Sequence, residues 1–136
     1  MKMTVGAVIV AYQALAGILN RRPTLPQTGH YRLARMYNAL KEEGETAEQA
    51  RVKLVMELGS ERTDAEGKLT GAWEVPEKGA EGKDTEVILL YREQWKTIRD
   101  QEIEINVQPV SITVFGDHEN GLQGAELALL GELITD

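Results

Sequence analysis

The chain has 136 residues, enough for one domain that buries about two-thirds of its unfolded surface. Apolar residues make up 42% and charged residues 27%, the balance of a folded globular protein rather than a disordered one. Zero cysteines exclude disulfide scaffolds, thiolate zinc sites and cysteine nucleophiles, and a net charge of −7 disfavours a general nucleic-acid binder.

The charge is unevenly placed. Residues 1–41 hold six bases and no acid; residues 42–136 hold all 22 acids and nine bases, +6 against −13. Such asymmetry points to a partner surface, or to two parts of one protein that attract each other.

At the start, Lys2 precedes an apolar run from Val5 to Ala11. The run is far below the roughly 20 residues of a bilayer span. An Ala-x-Ala triplet at 14–16 is the only cleavage-like feature, and the segment continues into a helical pattern, so neither a signal peptide nor a membrane segment is expected. Thr4 caps a first helix to about Asn20. Its main face is Val5, Val8, Ile9, Tyr12, Leu15, Ala16 and Leu19, with Val10 and Ile18 on another side. Pro23 and Pro26 end it.

Thr28 can cap a second helix. The stripe Leu33, Tyr37, Leu40, Gly44, Ala47, Arg51, Leu54, Leu58 steps by three and four without losing phase at Gly44. The spacing predicts one long helix over 29–58, straight or kinked at Gly44, with Gly59 as a left-handed cap. Leu69–Val75 reads as one short edge strand before Pro76. A flexible, Gly-rich loop is expected over about 76–84.

Asp84 or Thr85 caps a third helix to about Arg99, with Ile88, Tyr91, Trp95 and Ile98 on one face. Alternation follows at Ile103, Ile105 and Val107, then changes parity at Pro109 before Val110, Ile112 and Val114. That pattern is a bulge in one strand or a turn between two. Gly116–Gly121 is a loop with an Asn-Gly pair, and a last helix is expected over about 123–134, with Leu122 as a staple. Together these give a single α+β domain, 1–136. It is mainly helical, with antiparallel helices including one long helix and a small antiparallel sheet.

Chemistry-bearing motifs are sparse. Asp117-His118-Glu119 is too local for a metal centre, and His30 reads as a surface or capping residue. Glu102 and Glu104 alternate with Ile103 and Ile105 as the wet face of a strand. No nucleophile elbow or phosphate loop occurs. No catalytic residue, cofactor or metal is therefore expected. Trp95 fits a core face, whereas Trp73 sits on a glycine-flanked edge strand and is a candidate contact residue. Arg21, Arg22, Arg32 and Arg35 form the basic candidate surface.

Several segments carry a resemblance in their order. They are Tyr31-Arg32-Leu33-Ala34-Arg35, Arg51-Val-Lys-Leu-Val-Met-Glu-Leu-Gly59, an isolated Gly67, Glu102-Ile-Glu-Ile, Pro109-Val-Ser-Ile112 and Gly121-Leu122 with Glu126-Leu127 and Leu130. The chain resembles a family of small tailed-bacteriophage and prophage proteins without an assigned activity. The resemblance implies a viral origin and no catalytic residues. The expected function is that of a structural or assembly protein acting through protein–protein contacts, in the host cytoplasm or the virion. Its partner would be itself, as a homo-oligomer, a phage structural protein or a host protein. The alternative is an acidic inhibitor of a host protein, mimicking nucleic acid or blocking a basic cleft.

Overall fold

The computed structural model describes residues 1–21, 25–79, 81–116 and 122–135. Helix makes up 60% of the described residues and their strands occur only in pairs, so the fold is mainly helical α+β. The chain forms two compact units. Unit 1 is Met1–Glu45 with Glu102–Asp136, and unit 2 is Thr46–Gln101.

Unit 1 begins with β1 (Lys2–Thr4) and α1 (Val5–Leu19). Thr4 is the predicted N-cap, its hydroxyl accepting from the Ala7 N–H at 3.1 Å. The buried face of α1 is Val5, Val8, Ala11, Leu15 and Ile18. Ile18 therefore belongs to the main face rather than to another side, and Val10 is exposed.

The long helix is continuous. It is α2, Gln27–Leu58, about 48 Å at 1.5 Å per residue. Thr28 lies inside it rather than capping it. Leu33, Leu40, Gly44, Ala47 and Leu54 are buried, with Tyr37, Arg51 and Leu58 half-buried, so the predicted stripe is the inner face. Gly44 neither breaks nor resets the helix. A Cβ there would lie 2.9 Å from Tyr12 Cδ1 and 3.0 Å from Cγ, so the missing side chain is what lets the Tyr12 ring approach.

Tyr12 stacks on Tyr37, with ring centroids 5.1 Å apart and an interplanar angle of 16°. Hydrogen bonding to the Tyr37 side chain, then burial, then the Tyr37 and Glu45 charges push the Tyr12 phenol up to about 12. Gly44→Ala sets two terms against each other. Alanine adds about 1 kcal/mol of helix propensity, while overpacking against a ring costs about 1–3 kcal/mol. We expect a net loss of about 1 kcal/mol by urea denaturation, and a change of sign in a Tyr12→Ala background, where only the propensity gain remains.

The rest of unit 1 closes over α1 and the first part of α2. β4 (Glu102–Glu104) pairs antiparallel with β1, Met3 opposite Ile103, and the Ile105 N–H donates to the Met1 carbonyl at 2.8 Å. The parity change at Pro109 is resolved as two strands in two different sheets. β5 (Val110–Ser111) pairs with β6 (Ile134–Thr135), and this ladder is parallel, unlike the antiparallel sheet expected. A 3-10 turn over Ile112–Phe115 follows β5, ended by Gly116 at φ +77°. The last helix is shorter than predicted: α4 spans Gly124–Leu130, capped by a Gln123–Glu126 box. Gly131, at φ +54°, ends it, and Ile134 belongs to a strand instead. The core cluster contains Leu15, Ile18, Leu33, Leu40, Phe115 and Leu133, all nearly inaccessible.

Unit 1 also answers part of the charge asymmetry. Every base after residue 41 falls within 46–101, so 102–136 holds seven acids and no base. The basic start of the chain therefore shares a unit with an all-acid end. Arg21 Nη2 lies 2.7 Å from Glu126 Oε1, the same oxygen that accepts from the Gln123 N–H at 2.8 Å. One carboxylate thus caps α4 and holds the end of α1.

Unit 2 contains the end of α2, β2 (Ser60–Thr63), β3 (Leu69–Glu74) and α3 (Glu86–Arg99). The single predicted strand is one arm of a hairpin, β2 antiparallel to β3. Asp64 builds the turn, its carboxylate accepting from the Glu66 and Lys68 N–H groups at 2.9 Å each, with Gly67 at φ +81°. Thr85 is the N-cap of α3 and donates its own hydroxyl to the Pro76 carbonyl. The segment before it is exposed, as expected, but tied. Lys78 bridges Asp84, and the Gly79 N–H donates to the Lys83 carbonyl at 2.8 Å.

Gly59 corrects a second expectation. Its φ is not positive, so it is no left-handed cap. A Cβ at this position would sit 2.2 Å from the Glu74 carbonyl oxygen. Close backbone approach, not a dihedral, requires the glycine.

Candidate functional site

Unit 2 is thinly buried. Among its described residues only Ala47, Leu54 and Ile88 are buried apolar side chains. Val52, Met56, Leu69, Trp73, Leu89 and Leu90 are all exposed, each at 41% or more. They come from α2, the hairpin and α3, so every element of the unit leaves apolar surface in water. Scattered singly such residues carry no meaning, but Val52, Met56 and Trp73 line one depression.

Part of that surface forms a groove of about 1060 Å³. Val52, Val55 and Met56 of α2 face Trp73 and Val75 of the hairpin region, with Ile88 and Tyr91 of α3 at one side. The α2 residues reach it because 52 and 56 are one turn apart and off the inner stripe. Gly71, at φ +81°, lies two residues before Trp73 in β3 and also lines the groove.

The cations around the groove are matched by the unit's own acids. Arg51 binds Glu48 through Nε at 3.0 Å and Nη2 at 2.5 Å. That pair raises the Arg51 guanidinium and lowers the Glu48 carboxyl from their ordinary values. Arg62 binds Glu74 at 2.7 Å, which raises the Arg62 guanidinium. Asp84 receives Lys78 and Arg92, and its carboxyl is lowered, by Lys78 first. The groove therefore mixes apolar side chains and ion-paired charged ones in comparable measure, and its charges nearly cancel. Among the described residues that line it there is no nucleophile–base pair.

The residues singled out from the sequence are distributed over both units. Trp73 lines the unit 2 groove. Arg21 is half-buried against Glu126, an intramolecular role. Arg32 and Arg35 are exposed on α2, and neither has an ion pair among the described residues. Arg22 lies outside the described residues, as do His118 and the Asn120-Gly121 pair. His30 is half-buried, with a buried Nε2 that has no hydrogen-bond partner among them. Trp95 is half-buried rather than fully in a core. Among the described residues no three His, Asp or Glu side chains converge as a metal site, and no helix is long and apolar enough to cross a membrane.

Sequence reasoning found Trp73 but missed Val52 and Met56. The signal was present: two apolar residues one turn apart on α2, outside its buried stripe. No family model matches this chain, nor does any curated protein or solved structure.

Proposed function

We propose that the chain is a non-catalytic structural or assembly protein that works by protein–protein contact, with the unit 2 groove as the face that joins two copies. The observation that carries this reading is the exposed apolar surface of a unit with so little core of its own. A second copy is the occupant that fits. The rim cations already hold their own carboxylates, so two identical faces meet without an excess of like charge. The phage assignment rests on the sequence resemblance, and a self-associating chain agrees with it.

Sedimentation velocity over a concentration series tests the reading. The parent chain is expected to dimerise or form a higher oligomer at micromolar concentration. Trp73→Glu is expected to weaken association by about 30-fold or more, the effect of removing a buried aromatic anchor. Because Trp73 is 41% exposed, the variant keeps its helical circular dichroism. A strict monomer at about 200 µM, near the weak end of specific association, overturns self-contact and favours the acidic-inhibitor alternative. That alternative draws on residues 42–136, which carry −13.

A further inference from the structure

A second cleft lies wholly within unit 1, with a volume of about 400 Å³. One wall is α2, through Tyr31, Arg32, Arg35 and Met36. The other is the extended segment 106–110. We propose that this cleft binds an extended peptide segment of a partner protein that carries acidic side chains.

The two arginines supply the first argument. Arg21, Arg51, Arg62 and Arg92 each hold a carboxylate. Arg32, Arg35 and Arg99 hold none among the described residues, in a chain with 22 acids to offer, and of these three Arg32 and Arg35 line this cleft. They are three residues apart on one helix, so both guanidiniums serve the same side of the cleft. A guanidinium presents a fork of donors that matches a carboxylate in two hydrogen bonds.

The facing segment supplies the second. Val107 is buried while Asn106 and Gln108 are exposed, the alternation of an extended chain. Neither Asn106 nor Gln108 makes a hydrogen bond among the described residues. Their main-chain groups and amides are thus open to an extended ligand, in the manner of strand addition. Tyr31, 61% exposed, gives an apolar side chain of the ligand a surface to cover.

A peptide fits better than a nucleic acid. Two cations in a short cleft meet one or two anions, whereas a nucleic-acid strand needs a longer track of bases. Within unit 1, residues 42–45 and 102–136 carry ten acids and no base, which opposes such a strand beyond the cleft.

Fluorescence anisotropy tests the proposal on the full chain. The probe is a labelled hexapeptide of alternating Glu and Val, with a Gln-for-Glu peptide as control. Saturable binding of the acidic peptide is expected, with Arg32→Ala and Arg35→Ala each weakening it about tenfold, the cost of one charged hydrogen-bonded pair. Both side chains are exposed, so both variants fold, which circular dichroism checks. Three results overturn the proposal: no saturable binding, equal binding of the Gln peptide, or binding unchanged in both variants. Two competitors separate other anions. A ten-residue thymidine oligonucleotide binding more tightly through the same arginines, or inorganic phosphate displacing the peptide at equal concentration, also overturns it. Self-association through unit 2 is read by sedimentation, so the two proposals fail separately.

Discussion

Gly59→Ala is expected to destabilise unit 2 by about 3 kcal/mol or more, the upper range of overpacking. The new Cβ would lie 2.2 Å from the Glu74 oxygen, 2.6 Å from the Val55 oxygen and 2.7 Å from the Glu74 carbonyl carbon. All three obstacles are backbone, so no rotamer change relieves them. Moving Val55 disturbs the 2.7 Å bond that the Gly59 N–H donates to it. Moving Glu74 disturbs the hairpin register at Ser60. Gly67 is the control. Its φ of +81° strains an alanine, but the space around it is open, so about 1 kcal/mol is expected there. Both tryptophans, Trp73 and Trp95, belong to unit 2, so their fluorescence reads this unit directly. With a urea slope of about 1–3 kcal/mol per molar, the midpoint should fall by about 1 M or more. A midpoint within about 0.3 M of the parent would show that the two backbones part without cost.

The same position shows what a sequence does and does not disclose. That Gly59 ends α2 is legible from the loss of periodicity after Leu58. Why it must be glycine is not, because Glu74 is fifteen residues away and its approach depends on a hairpin arm that carries no strand pattern. Ser60–Thr63 is polar, and only pairing with β3 makes it a strand. β1 and β6 are hidden for the same reason, each two or three residues long and defined by a distant partner. Helices are legible because their bonds are local: the continuous phase through Gly44, the Thr4 cap and the Thr85 cap all needed only neighbours. The sites divide in the same way. Arg32, Arg35 and Trp73 announce themselves by charge or size, whereas Asn106 and Gln108 matter only because unit 1 sets them opposite α2. The charge asymmetry was legible as a sum, but its meaning depends on which segments share a unit, and that is tertiary.

Phe115→Ala should remove about 3–5 kcal/mol from unit 1, the range for deleting a fully buried aromatic ring. Phe115 is the only phenylalanine and is wholly inaccessible. It reaches the core from a 3-10 turn whose end is fixed by Gly116. Its ring rests against Gly29 near the start of α2, where a Cβ would lie 2.6 Å from Phe115 Cδ1 and 3.2 Å from the Val114 oxygen. Gly29 is thus a socket for the ring, and alanine at 115 leaves that socket empty. Gly29→Ala alone should cost about 1–3 kcal/mol, because the ring must shift and the Val114 carbonyl is also near. In the Phe115→Ala background the same change meets no ring, and its added methyl gains helix propensity of about 1 kcal/mol. The double variant should therefore be no less stable than Phe115→Ala alone, a coupling of about 1–3 kcal/mol between the two positions. Urea denaturation followed by circular dichroism at 222 nm measures all four corners of the cycle. Strict additivity would mean that ring and glycine do not meet, and the packing of the 3-10 turn against α2 would have to be redrawn.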